Sequence, residues 1–251
     1  MRIAVAGGTG TVGRHVVEAA ESRGHEVVVL ARSRGVDLVS GAGLAEALAG
    51  VDAVIDVSSI DTLSGRKAEE FFGTVTRRLL AAEAAAGVGH HIALSIIGAV
   101  GVTSGHYAGK TVQERLIAEG DIPWTILRAG QFHEFAAQMA ARPPMLGLLL
   151  VPRMRSQPVA AREVAAALLD LAEQPPSGIA QPLAGPAEER MADMVRRYLA
   201  ATGRRGRVVE FRMPGDIGRV MASGGLLATP DTRLGTQTFT EWLGSPDAGE
   251  P

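Results

Sequence analysis

The sequence predicts an α/β protein built on a doubly wound parallel sheet, with a smaller lobe formed by the last third of the chain. Three observations lead there. An opening apolar run breaks into regularly spaced glycines and then into a helical pattern; strand-like and helix-like hydrophobic periods alternate as far as residue 128. Beyond residue 140 the alternation is broken by Pro143, Pro144, Pro152, Pro158, Pro175, Pro176, Pro182, Pro186 and Pro214.

The first element, residues 2–6, reads as a buried strand, and Gly7, Gly10 and Gly13 follow at three-residue spacing. Glycine there lets the chain turn sharply, approach a ligand without a Cβ in the way, and pack the next helix on the strand. Val12, Val16, Val17 and Ala20 form a helical stripe that stops at Gly24, and residues 26–30 form a second strand. That is a βαβ unit of Rossmann type, whose helix N-terminus aims its amides at a phosphate. Gly7, Thr9, Gly10, Thr11, Val12 and Gly13 are therefore the expected cofactor loop. In such a unit the residue just past the second strand lies beside the adenosine ribose. Here it is Arg32, followed by Ser33 and Arg34. A guanidinium suits a 2′-phosphate, whereas a carboxylate would suit a 2′-hydroxyl, so NADP is expected over NAD. The competing reading is that both arginines are solvated loop charges.

The alternation continues. Residues 36–39 read as a short strand, Leu44, Ala47 and Leu48 as one helical face, and 53–57 as a strand ending at Ser58 and Ser59. A long helix is expected over 66–86, stopped by Gly87, then a strand at 91–97, a glycine-rich loop, a helix at 110–119 and a strand at 124–128. The final third offers helices near 161–173 and 187–202 and a strand at 208–211. Ligands bind at the carboxyl ends of parallel strands, which points to the loops 7–13, 32–34, 58–59, 95–109 and 129–132. The expected layout is one domain: a dinucleotide-binding core over 1–140 and a substrate-covering lobe over 141–251, part of which returns to the core.

Composition narrows the partners. The 251 residues are 46% hydrophobic and 21% charged with a net charge of −2, which gives no electrostatic case for nucleic acid. There is no cysteine, hence no disulfide or thiol chemistry. The apolar run at 145–151 is far too short to span a bilayer, and the start of the chain lacks a signal-peptide layout, so a cytoplasmic protein is expected. A small-molecule substrate is the expected partner, and a homodimer is left open. Lys67 and Lys110 are the only lysines in an arginine-rich chain.

The segment from Ser95 through Gly105, His106, Tyr107, Lys110 and Glu114, together with the glycine loop, residues 94–98 and 123–132, resembles the short-chain dehydrogenase/reductase superfamily, in particular its atypical, NmrA-like branch. The resemblance covers roughly residues 1–175. It implies a lysine that holds the nicotinamide ribose and lowers a tyrosine pKa, that tyrosine four residues earlier as proton donor, and a serine on the preceding strand that binds the substrate oxygen. Lys110 and Ser95 match. Four residues before Lys110, however, stands His106, with Tyr107 only three before; on a helix they flank Lys110 by roughly 40° and 60° on opposite sides. Either could supply the proton, histidine without any shift of its ordinary pKa. The bland readings are a surface Lys110 paired with Glu114 and a turn-forming Ser95. Gln131 and Phe132 begin the expected substrate pocket. His133 reads as a helix-cap or surface residue, and Trp124 packs in the sheet. His90 and His91, adjacent on a strand, face opposite ways and make no metal site. The leading function is an NADPH-dependent reductase of a small apolar carbonyl, quinone or enone. The alternative is an NADP-binding redox-sensing regulator without turnover; a sugar-nucleotide epimerase or dehydratase ranks third.

Overall fold

The computed structural model describes residues 1–249. In chain order its elements are β1 (Arg2–Ala6), α1 (Gly13–Ser22), β2 (Glu26–Leu30), a 3-10 turn (Arg32–Arg34), α2 (Leu44–Ala47), β3 (Ala53–Asp56), α3 (Gly65–Ala86), β4 (His90–Ile96), α4 (Gly105–Ala118), β5 (Trp124–Ala129) and α5 (Glu134–Ala141). These are followed by β6 (Leu148–Pro152), β7 (Arg155–Ser156), α6 (Ala161–Ala172), β8 (Gly178–Ile179), β9 (Leu183–Ala184) and β10 (Glu189–Arg190). The chain then runs through α7 (Met191–Ala201), β11 (Arg207–Phe211), α8 (Gly215–Ser223), β12 (Arg233–Leu234), α9 (Phe239–Leu243) and a 3-10 turn (Pro246–Gly249). Two compact units result, one of Met1–Arg128 with Arg162–Ala180, the other of Ala129–Ala161 with Gln181–Pro251. The division falls at residue 128, and α6 with β8 returns the chain to the first unit.

In the first unit the strands lie in the order β2-β1-β3-β4-β5-β8, and β1 pairs in parallel with both β2 and β3. The direction of winding therefore reverses between β1 and β3, and the loop after β1 opens at that switch point. Alternate residues of the strands face opposite layers. Ala4, Ala6, Leu30 and Val54 form one core with Leu44 and Leu48 around α2 and Val75 and Leu79 of α3. Helix α3 starts where the Ser64 hydroxyl accepts from Lys67 N at 3.4 Å and ends at Gly87 with φ +74°. Trp124 packs against Ala93, Ile117 and Ile126.

Two expectations fail for local reasons. Residues 36–39 form no strand. The Asp37 carboxylate accepts from Val39 N at 2.8 Å and Ser40 N at 3.3 Å, so these amides serve a side-chain turn instead of a ladder; Val36 is buried in the core and Leu38 packs partly buried against it. Helix α4 begins at Gly105, five residues before the expected start. Its interior glycine, read as loop chemistry, is a packing requirement: a Cβ on Gly109 would lie 2.4 Å from Phe72 Cδ2 and 2.7 Å from Ala68 O.

His90 and His91 do face opposite ways. His90 Nε2 meets Thr125 Oγ1 at 2.9 Å, and His91 Nδ1 donates to the Glu83 carboxylate at 2.9 Å, with both partners of the latter pair fully buried. Burial alone pushes the His91 imidazolium down, but the Glu83 charge and hydrogen bond, with Asp56 beyond, outweigh it and hold the residue above its ordinary value. A raised histidine pKa contributes stability that is complete below the unfolded value and lost as pH rises through the folded one. Glu83→Gln should lower stability by about 1–3 kcal/mol at roughly pH 6 and by less at roughly pH 9, read from urea midpoints. An equal loss at both would show that His91 is not charged in the folded state.

The second unit holds a parallel pair β6–β11, an antiparallel pair β7–β10 and a parallel pair β9–β12. Its core includes Phe239 stacked on Trp242 at 5.5 Å between centroids. Trp242 Nε1 donates to buried Glu134 Oε1 at 3.2 Å. His133, expected at a cap or on the surface, occupies the cap position before α5 and is buried there, its Nε2 donating to Gln237 O at 3.0 Å.

Candidate functional site

The glycine loop is built by steric necessity. Gly7 has φ +80°, and a Cβ there would lie 2.8 Å from Val57 O and 2.9 Å from Ser58 Cα, in the loop after β3. Gly10 N donates to Gly7 O at 2.9 Å. A Cβ on Gly13 would lie 2.1 Å from that same oxygen, so α1 starts hard against the turn. Val12, which caps α1, gives no side-chain hydrogen bond, and Arg14 N in the first turn donates back to Gly10 O at 3.1 Å, tying the helix start to the glycine loop. Thr9 is exposed, Thr11 half-buried and Val12 buried.

The hydroxyl of Ser58 is buried beside this loop with no hydrogen-bond partner in the protein, an arrangement that costs free energy until something is bound. Ser59, one residue on, is exposed, as are Arg32, Ser33 and Arg34 on the turn after β2. A loop closed to a Cβ at Gly7 and Gly13, an orphaned hydroxyl and exposed guanidiniums fit a dinucleotide phosphate chain and ribose.

Lys110 is buried, not a surface residue, and Glu114 is not its partner: Glu114 takes Arg128 in two hydrogen bonds of 2.7 and 3.1 Å. Lys110 Nζ donates to Leu94 O and to Gln113 Oε1, both at 2.8 Å, and lies 4.4 Å from the centroid of the Phe72 ring. Gln113 Nε2 in turn donates to Asp56 Oδ2 at 2.8 Å, while Asp56 Oδ1 accepts from Ser58 N at 2.8 Å. The ammonium is thus tied through Gln113 and Asp56 to the loop that meets the glycines. Burial lowers the Lys110 pKa to about 8, against the pull of Asp56 and Glu114. Next to Leu94 in β4, Ser95 presents a buried hydroxyl with no protein partner.

The two proton-donor candidates both lie in the first turn of α4, on the helix with Lys110. His106 is not poised as an acid. Burial, then the Lys110 charge, lower its pKa to about 4, and Nδ1 lies 3.1 Å from Ile60 O, where only a protonated nitrogen can make the bond. At neutral pH the ring is a neutral imidazole whose proton is committed to Ile60, packed edge-on against Phe72 at 5.2 Å. Tyr107 is buried, and burial pushes its phenol above the ordinary range; it is a weaker acid than free tyrosine. Gln131 and Phe132 belong to the second unit, where Gln131 O accepts from Val159 N at 2.8 Å and Phe132 bridges to Val159.

Sequence reasoning missed Asp56, Gln113 and Phe72. Asp56 had a signal, being the one carboxylate within the apolar strand 53–57, and Gln113 stands one helical turn beyond Lys110. Among the described residues no helix is long and apolar enough to cross a membrane, and no cluster of three metal-ligating side chains occurs.

Comparison with known proteins agrees with this architecture. A family model described as NAD(P)H-binding matches residues 7–175. The photosystem II assembly factor Ycf39 of Synechocystis sp. is 31% identical over 147 residues, which cover 53% of this chain and 45% of that protein, so the match spans under half of the relative's length. Among solved structures, an NADPH-dependent quinone oxidoreductase from Escherichia coli, complexed with NADPH, superposes with a TM-score of 0.70 at 19% identity, covering 96% of this chain and 98% of the other. UDP-glucose 4-epimerase from Thermus thermophilus with NAD gives 0.67 at 20% identity, covering 86% and 88%. A short-chain dehydrogenase/reductase superfamily protein from Agrobacterium tumefaciens with NAD gives 0.68 at 20% identity, covering 99% and 96%. The chain belongs to the NAD(P)H-binding family.

Proposed function

We propose that the protein is an NADPH-dependent reductase whose substrate is a small quinone. The observation that carries this reading is the buried Lys110 ammonium bonded to Leu94 O, with the unpartnered hydroxyl of Ser95 one residue further along β4. Gly7, Gly10, Gly13 and the α1 amides would hold the dinucleotide phosphates, Ser58 and Ser59 a polar edge beside them, and Arg32, Ser33 and Arg34 the 2′-phosphate. Bound there, NADPH supplies a hydride. Ser95 Oγ, buried and unpartnered, would donate to the oxygen that gains charge on the substrate, and the Lys110 ammonium would stabilise it electrostatically. A ketone would become an alkoxide, nearly as basic as hydroxide, and would demand a strong proton donor. A quinone becomes a phenolate-like anion whose conjugate acid titrates near 10, as a tyrosine does. The absence of an activated acid at His106 and Tyr107 therefore penalises ketones and spares quinones.

The same absence favours a second reading, a regulator that binds NADP without turnover. Oxidation of NADPH by 1,4-benzoquinone, followed at the nicotinamide absorbance, separates the two: turnover supports the reductase, and tight NADPH binding with none supports the sensor.

Cofactor choice has its own test. Removing both guanidiniums in Arg32→Ala/Arg34→Ala should weaken NADPH binding by about 10–100-fold, the worth of charge-assisted hydrogen bonds to one phosphate, and leave NADH binding within about twofold. Equal losses for the two nucleotides would reject the 2′-phosphate assignment.

A further inference from the structure

The second unit contains a cavity that the dinucleotide reading does not use. Strands β6 and β11 run parallel and in register, Pro152 beside Phe211, and each is followed directly by an arginine, Arg153 and Arg212, with Arg153 N donating to Phe211 O at 2.8 Å. Both cationic side chains therefore leave the same end of the pair. Helix α8 starts three residues after Arg212 and adds Arg219 from its second turn. It is pressed against the strand end: a Cβ on Gly218 would lie 1.7 Å from Met213 O. The three arginines, with Pro214, Gly215 and Ser223, line a cavity of about 660 Å³, the size of small-molecule sites.

Convergence on one concavity sets these three arginines apart, since among the described residues Arg205, Arg207 and Arg233 of the same unit also have no ion-pair partner. Arg155, Arg190, Arg196 and Arg197 are each held by a carboxylate, respectively Glu188, Glu210, Asp193 and Glu189. Among the described residues Arg153, Arg212 and Arg219 have no such partner. Of the nearest acidic residues along the chain, Glu210 pairs with Arg190 at 2.8 Å, and Asp216 accepts from Ile217 N at 2.7 Å through Oδ1. Three guanidiniums lining one concavity make its potential positive, which favours an anion of more than one charge. Planar, forked donors match the tetrahedral oxygens of phosphate better than a single carboxylate could use them.

We propose that this cavity binds the phosphate or diphosphate group of a small molecule, separately from the dinucleotide loop. Inorganic pyrophosphate is the probe. Titrated calorimetrically into the full chain in the presence of saturating NADPH, it should bind at one site, weaken as salt is raised, and weaken at least tenfold further in Arg212→Ala/Arg219→Ala. Arg212→Lys/Arg219→Lys, which keeps both charges, should lose less. NADPH affinity, measured alone, should be unchanged in either variant, so failure of the dinucleotide reading and failure of this one are told apart. All the substituted side chains are exposed, and melting temperature checks that the variants fold. Equal pyrophosphate affinity in wild type and the alanine variant, or no binding to wild type, would overturn the proposal.

Discussion

Replacing Lys110 with methionine, which keeps the length of the side chain and removes its charge, is expected to lower kcat/KM for quinone reduction by about 10²–10³-fold, the scale for loss of one preorganised electrostatic donor. The wild-type pH profile should carry the same signature. The folded Lys110 pKa of about 8 lies below its ordinary 10.5. The ammonium is the form that stabilises a developing anion, so activity should be full below about pH 8 and fall tenfold per unit above it. The relevant parameter is kcat/KM for NADPH, which reports the free protein. The methionine variant should lose this alkaline limb. Gln113→Leu removes the link between Lys110 and Asp56, and with it one hydrogen bond of the ammonium, but keeps the charge, and should shift the limb while leaving residual activity above that of the methionine variant. If the methionine variant keeps wild-type turnover, Lys110 is a buried structural cation satisfied by Leu94 O, Gln113 and Phe72.

What the sequence made legible follows from the range of the forces involved. The glycine loop was readable because Gly13 answers a constraint within a few residues, at Gly7 and Gly8, which spacing records, although the constraint on Gly7 comes from Val57 and Ser58 after β3. The histidine pair was readable from the strand period. The Lys110 network was not, because Gln113 and Asp56 are 57 residues apart and meet only after β3 and α4 are placed by the sheet. Asp37 shows the opposite failure: a valine-rich segment with strand composition was diverted by one carboxylate that captured two backbone amides. The roles of His106 and Tyr107 were undecidable on paper. Helical angle put both near Lys110, but only burial, the Phe72 ring and the Ile60 carbonyl show that neither is an activated acid.

Gly13→Ala should abolish measurable NADPH binding, with at least a 100-fold rise in Kd, while the protein still folds. The reason is space and not backbone freedom. Gly13 is absent from the positive-φ glycines, so alanine could adopt its backbone conformation, yet the added Cβ would stand 2.1 Å from Gly7 O and 2.6 Å from Gly8 Cα. Neither contact can be relieved by a side-chain rotation, so the loop must move outward by more than an ångström. Every amide that the loop would offer to the phosphates moves with it. Overpacking of this kind costs about 1–3 kcal/mol of stability, small beside the loss of several amide–phosphate bonds at once. Gly24→Ala provides the contrast: φ is +79° but nothing lies within 4 Å of the added carbon, so it should cost about 1 kcal/mol of stability and leave Kd unchanged. Equal effects of the two substitutions on Kd would mean that the loss at Gly13 is global destabilisation and that the loop is not the phosphate cradle.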